Sequence, residues 1–143
     1  MRFWDRSAII PLLVEEPTTG SITAYYQTQP EMVAWWGSTL ECASPLARLE
    51  REGHLDTASA TQAFQQLQSP HAIWNEIQPL DIVRPTAQRL VRVHPLRAAD
   101  SLQLSAALVA CEHRPQTWEF VCLDARLSTA AEREGFKVMG SFA

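Results

Sequence analysis

The run Trp118-Glu119-Phe120-Val121-Cys122-Leu123-Asp124 followed by Ala125 to Glu134, Gly135 and Phe136-Lys137-Val138-Met139 decides the fold. Trp118 to Leu123 reads as a strand, Ala125 to Glu134 as a helix, and Gly135 leads into a last strand over Phe136–Met139. Upstream the same alternation repeats. Met1 to Trp4 reads as a short buried strand. A helix follows from about Ala8 to Glu15, with Pro11 near its first turn and Pro17 and Gly20 closing it. Ser21 to Gln29 is a second helix ended by Pro30, and the apolar run Met32 to Trp36 is a buried strand. An amphipathic run continues from Gly37 to Glu52 and stops at Gly53; Pro45 inside it should kink that helix or displace its start. Further helices begin at Asp56 or Thr57 and end by Ser69-Pro70, run from Thr86 to Val93, and run from Arg97 to Cys111. Residues 71 to 85 give no readable pattern. Strands separated by helices predict an α/β fold of layers around a mainly parallel sheet of about four or five strands. With no repeat and no linker, residues 1–143 read as one domain.

The composition supports a folded chain and excludes several classes. At 46% hydrophobic and 20% charged, the 143 residues can bury a core, and neither disorder nor a collagen-like chain is compatible. No apolar stretch is long enough to span a membrane. The apolar run Ala8 to Val14 lies between Asp5 and Glu15-Glu16 and has no small-residue cleavage site after it, so no signal peptide is expected. Cys42, Cys111 and Cys122 are odd in number and scattered, which predicts buried thiols in a reducing, cytoplasmic compartment. The four histidines show no metal-ligand spacing. Eleven of the twelve basic residues are Arg, and only five of the sixteen acids are Asp. Arg binds carboxylate and phosphate through a fixed fork of donors, yet the net charge is −4, which does not suggest a nucleic-acid binder.

Four acids stand where chemistry is expected. In layered α/β sheets ligands sit beyond the carboxyl ends of the strands, and both Asp5 and Asp124 directly follow a strand. Each also suits a helix N-cap, although Ser7 serves equally well for the first helix. Asp100 is the one charge in Ala98 to Cys111, a helix apolar on nearly every face, so its carboxylate needs a cation nearby: a metal ion, or Arg97 three residues before it. Ser38 and Glu41 form a capping-box pattern, unless the helix starts at Ser44-Pro45 and that role disappears.

Together these acids resemble a family, the PIN-domain ribonucleases, and in particular the VapC-type toxins of bacterial toxin–antitoxin modules. Trp4-Asp5-Arg6-Ser7-Ala8 looks like the first family motif, with Arg6 where the family usually has Thr or Ser. Glu41 with Ser44 to Arg48 is similar to the second, although Pro45 is unusual there. His94 to Ala107 around Asp100 is the closest match, and Val121 to Asp124 with Leu127, Ala130, Ala131 and Gly135 looks like the fourth. The resemblance covers the chain from end to end. It implies a three-layer PIN-like fold and a metal-dependent endoribonuclease, with tRNA or rRNA as substrate, a cognate antitoxin as partner and a homodimer as the assembly. Mg²⁺ or Mn²⁺ suits an all-carboxylate site. Asp5, Asp100 and Asp124 would hold the ion directly or through water, Glu41 would orient a water at the rim, and Ser7 would bond an acid or a substrate phosphate.

Arg6, Arg48, Arg89, Arg92 and Arg97 are the candidates for RNA phosphate contact. Trp35-Trp36 and Tyr25-Tyr26 offer either base stacking or, as adjacent aromatics in an apolar strand more commonly do, core or dimer-interface packing. Removing the four candidate acids leaves 12 acidic against 12 basic residues, which assigns the whole net charge to one cluster that a divalent ion would offset. The alternative is a catalytically silent PIN-like module that binds RNA or protein. A phosphoacceptor receiver domain fits poorly, because Lys137, the one Lys, lies inside the last strand and Asp56 follows no apolar strand.

Overall fold

In a computed structural model, residues 1–69 and 74–142 are described. Their order is β1 (Arg2–Trp4), α1 (Arg6–Leu13), α2 (Thr19–Thr28), β2 (Val33–Trp35), α3 (Ser38–Arg51), α4 (Thr57–Gln68), β3 (Asn75–Ile77), α5 (Val83–Val93), α6 (Ala98–Ala110), β4 (Glu119–Val121), α7 (Ala125–Glu134) and β5 (Lys137–Met139). The five strands form one parallel sheet in the order β3-β2-β1-β4-β5. This is the expected PIN-like arrangement of three layers. Side chains alternate along each short strand, so β1 feeds two cores at once. Phe3 packs with Phe120, Leu90, Leu104 and Leu127 under α5, α6 and α7, whereas Trp4 packs with Val121, Ile9, Ile22 and Leu46 under α1 to α4.

Four expectations need correction. Helix α1 starts at Arg6, not Ala8, because Asp5 caps it; Pro11 therefore sits past the first turn. Helix α3 runs from Ser38 without restarting at Pro45. Each of these prolines lacks the amide that would reach four residues back, to the carbonyls of Ser7 and Glu41 respectively. Gly37, not Ser38, is the N-cap of α3 and makes no side-chain cap, so the capping box is not formed. Helix α5 begins at Val83 rather than Thr86 and takes Pro85 into its first turn, where an amide is dispensable. Within the unreadable stretch, the described part supplies the edge strand β3, in which Ile77 is the one apolar residue; expectations for residues 70–73 lie outside the described residues.

Gly37 also allows a close approach. A Cβ there would stand 2.5 Å from Nε1 of Trp35, a residue 5% exposed. Gly37→Ala is expected to destabilise the protein by about 1–3 kcal/mol through overpacking. A denaturant midpoint equal to that of wild type would show instead that the indole yields freely.

Candidate acidic site at the switch point of the sheet

The order in which strands are laid down reverses between β1 and β4: β2 and β3 lie on one side of β1, and β4 and β5, parallel to it, on the other. Crevices at such points hold ligands, and Asp5 and Asp124 follow these two strands. Both aspartates do cap helices. Asp5 Oδ2 accepts from the Ser7 amide at 3.1 Å and from Ser7 Oγ at 2.6 Å, and Asp124 Oδ1 accepts from the Leu127 amide at 2.9 Å. Asp5 is 2% exposed, and its Oδ1 is buried with no hydrogen-bond partner. Capping thus accounts for one oxygen of Asp5 and leaves the other unexplained. Ser7 Oγ accepts in turn from the Leu123 amide at 2.9 Å, so the hydroxyl ties α1 to the end of β4. Of the two expected roles for Ser7, the structure displays the bond to an acid.

Glu41 lies in the first turn of α3 but serves no cap. Its Oε2 accepts from Nε2 of Gln103 at 3.0 Å, and its Oε1 stands 3.4 Å from Nε of Arg6. Gln103 is fully buried on α6 and also donates to Ser38 Oγ at 2.9 Å. It escaped the sequence reading, although a lone amide on an apolar helix carries the same signal as Asp100. Asp100 is buried near the start of α6, and among the described residues no ion pair reaches its carboxylate, from Arg97 or any other base.

Their electrostatics tie the acids together. Burial raises the Asp5 carboxyl above the usual carboxylate range, and Asp100 adds repulsion. Burial, then the charge of Asp5, pushes Glu41 up to about 7. Asp100 is raised by burial and by Asp124. Cys42 and Cys122, both free and buried as expected, are pushed up to about 12 by burial and by Asp5. Asp100 and Asp124 line an open depression of about 420 Å³ with Arg6, Arg97 and Arg126. Arg126, two residues beyond Asp124, is the second residue that sequence reasoning missed.

The other candidate cations lie elsewhere. Arg89 forks onto Glu134, with Nη2 to Oε1 at 2.7 Å and Nη1 to Oε2 at 3.3 Å, and the buried His94 ring bonds the same carboxylate at 2.7 Å. This arrangement joins the end of α5 to the end of α7. Arg92 lines a separate depression with Gln88, Arg89 and Val93, and Arg48 is exposed on the last turn of α3. Tyr25 lies under the Arg2 guanidinium and Tyr26 packs on the edge of Trp4, so both are engaged in packing. Trp35 is buried, whereas Trp36 is 53% exposed.

The donor set is oxygen only, and the buried, unpartnered Oδ1 of Asp5 suits a hard cation. As the side chains stand, however, no three His, Cys, Asp or Glu groups among the described residues converge to hold one. Among these residues, no helix is long and apolar enough to cross a membrane. The raised Glu41 makes a further prediction. Between pH 4.5 and about 7 the unfolded chain loses this proton while the folded chain keeps it, so rising pH lowers stability. In chelator, the melting temperature of wild type should therefore fall across that window relative to Glu41→Gln. A constant difference between the two proteins would overturn the assignment.

No family model and no curated protein matches the chain by sequence. Solved structures do match in shape. FitAcB from Neisseria gonorrhoeae superposes with a TM-score of 0.67 at 14% identity, covering 98% of this chain and 97% of its own. FitAB bound to an IR36 DNA fragment gives 0.67 at 13% identity, covering 98% and 94%. PAE2754 from Pyrobaculum aerophilum gives 0.63 at 16% identity, covering 96% and 87%. The chain shares its fold with these proteins over nearly its full length.

Proposed function

We propose that the protein is a PIN-like endoribonuclease of the toxin kind, whose acidic site uses a divalent cation to hydrolyse RNA phosphodiesters. The observation that carries this reading is the gathering of Asp5, Glu41, Asp100 and Asp124 at the switch point of the sheet, with one oxygen of Asp5 buried and unpartnered. Mg²⁺ or Mn²⁺ held by Asp5, Asp100 and Asp124 would supply Lewis acidity toward a phosphodiester and a water of lowered pKa. The chain's own residues do the rest. Ser7 fixes the Asp5 carboxylate from α1 and β4 at once. Glu41, with its carboxyl pushed up to about 7, exchanges a proton at Oε1 near neutral pH, where general acid–base groups work best. Arg6, Arg97 and Arg126 offer guanidinium forks to phosphate oxygens along the depression. A tRNA or rRNA substrate, a blocking antitoxin and a homodimer belong to the same proposal; they rest on the motif resemblance and on the shared fold.

A second reading, a catalytically silent PIN-like module that binds RNA or protein, has the more direct structural support. The fold is present, and among the described residues no three metal-ligating side chains converge as they stand. The two readings part on one experiment. With MnCl₂, purified protein is expected to cleave a pool of structured RNAs, and Asp5→Asn and Asp100→Asn are each expected to lower the rate by at least about 100-fold. RNA binding without cleavage, together with no Mn²⁺ binding by calorimetry, would establish the silent module. Equal cleavage by all three proteins would identify a contaminating nuclease.

A further inference from the structure

Arg6 differs from Arg2 and Arg89, and among the described residues resembles in looseness only Arg114, which reaches the exposed Glu112 through one nitrogen at 3.5 Å. Arg2 is 8% exposed and bonds both Glu119 and the Tyr25 carbonyl, and Arg89 forks onto Glu134 through two nitrogens. Arg6 reaches Glu41 through Nε alone at 3.4 Å, with a side chain one-third exposed and without forming a hydrogen bond, since Glu41 Oε1 has no such partner. The same side chain lines the depression that holds Asp100 and Asp124. Its charge favours ionisation of Asp5, Glu41 and Asp100 alike. One loosely held guanidinium therefore serves several carboxylates at once.

We propose that Arg6 is a built-in counter-cation of the acidic site, which a divalent cation must displace from Glu41. Arg6 thereby sets the cation affinity of the site and, once released, adds its charge to the phosphate-facing depression beside Arg97 and Arg126. The inference rests on the cation-dependent reading of the site. Three observations make the displacement feasible. Glu41 stays positioned after Arg6 leaves, because Gln103 holds its Oε2 at 3.0 Å from a fully buried place on α6. The buried Oδ1 of Asp5 already lacks any partner and so gains a ligand without losing one. Arg6 itself is the first residue of α1, with its side chain open to solvent on one side, so its release disturbs no packed core.

The test is calorimetric titration of MnCl₂ into wild type, Arg6→Gln and Arg6→Lys in low salt. Arg6→Gln is expected to bind Mn²⁺ about fivefold more tightly than wild type, the worth of a partly exposed ion pair. Arg6→Lys keeps the charge and is expected to stay within about twofold of wild type. At saturating MnCl₂, where Arg6 is released, Arg6→Gln is also expected to bind a short nuclease-resistant single-stranded oligonucleotide less tightly than wild type, as one phosphate-facing charge is gone. Equal or weaker Mn²⁺ binding by Arg6→Gln, with wild type binding normally, would overturn this inference and leave the cation-dependent reading intact. Absence of Mn²⁺ binding in both would overturn both. Binding by Arg6→Gln where wild type shows none would support the inference in its strongest form. Should Arg6→Gln fail to fold, Arg6→Ala repeats the measurement without the amide, under the same criteria.

Discussion

Holding a carboxylate at the carboxyl end of the central strand, out of water and beside other carboxylates, is the constraint on which this structure turns. Asp5 follows β1, and β1 belongs to both cores, with Phe3 on one side and Trp4 on the other. The acid cannot retreat from its position without unseating these two aromatic side chains. It is held there by the amide and hydroxyl of Ser7, while its own main-chain amide donates to the carbonyl of Val121 on the neighbouring strand at 2.9 Å. A buried carboxylate lacking full compensation destabilises the folded state or keeps a proton. The raised Asp5, Glu41 and Asp100 carboxyls are the visible form of that cost. Large apolar cores on both faces of the sheet offset it, which is why a local electrostatic penalty is tolerated at the place where chemistry is useful.

The parallel sheet was legible because its strong signals are local. The run from Trp118 to Leu123, the helix after Asp124 and Gly135 in the left-handed conformation at its end form one continuous reading. Edge strand β3 was not legible, since Asn75-Glu76-Ile77 presents no alternating apolar face and acquires its strand character from pairing with β2. Prolines misled for a related reason. Pro11 and Pro45 both lie beyond the first turn of a helix, where propensity alone predicts a break, and burial of Pro11, Cys42 and Leu46 against the sheet overrides that preference.

Within the site, residue type and position pointed to the acids, but only three dimensions assign their partners. The capping-box pattern at Ser38 and Glu41 is a true sequence signal put to another use. Shifting the cap by one residue to Gly37 frees both side chains, and Gln103 takes them up from α6, which lies 62 positions away from Glu41. No local rule contains a bond of that span. The buried amide on α6 nevertheless obeys the logic that singles out Asp100 three positions before it: a polar group in an apolar helix requires a partner. Gln103 finds one in the protein, whereas Asp100 finds none among the described ion pairs, and this difference separates a residue that supports the site from one that faces it.

The excess of arginine over lysine also takes on a different meaning. In the sequence it suggested phosphate, set against a net charge of −4. In the structure Arg2 holds Glu119, Arg89 holds Glu134, Arg6 faces Glu41 and Arg114 reaches the exposed Glu112, so among the described residues four of the eleven arginines are directed at carboxylates of their own chain. Against burial, Glu119 is lowered by the Tyr25 hydroxyl and then by Arg2, and Glu134 by Arg89 and then by His94, whereas burial and the charge of Asp5 keep Glu41 raised despite Arg6. The separation of these glutamates follows from their surroundings: Glu119 and Glu134 each accept from a close guanidinium and a second donor, whereas Glu41 lies beside Asp5 and meets Arg6 only at 3.4 Å. The acids are therefore neither uniformly paired nor uniformly free. Incomplete compensation is concentrated at the switch point of the sheet, where Arg6, Arg97 and Arg126 line one depression with Asp100 and Asp124 while Asp5 and Glu41 stay raised by burial behind it.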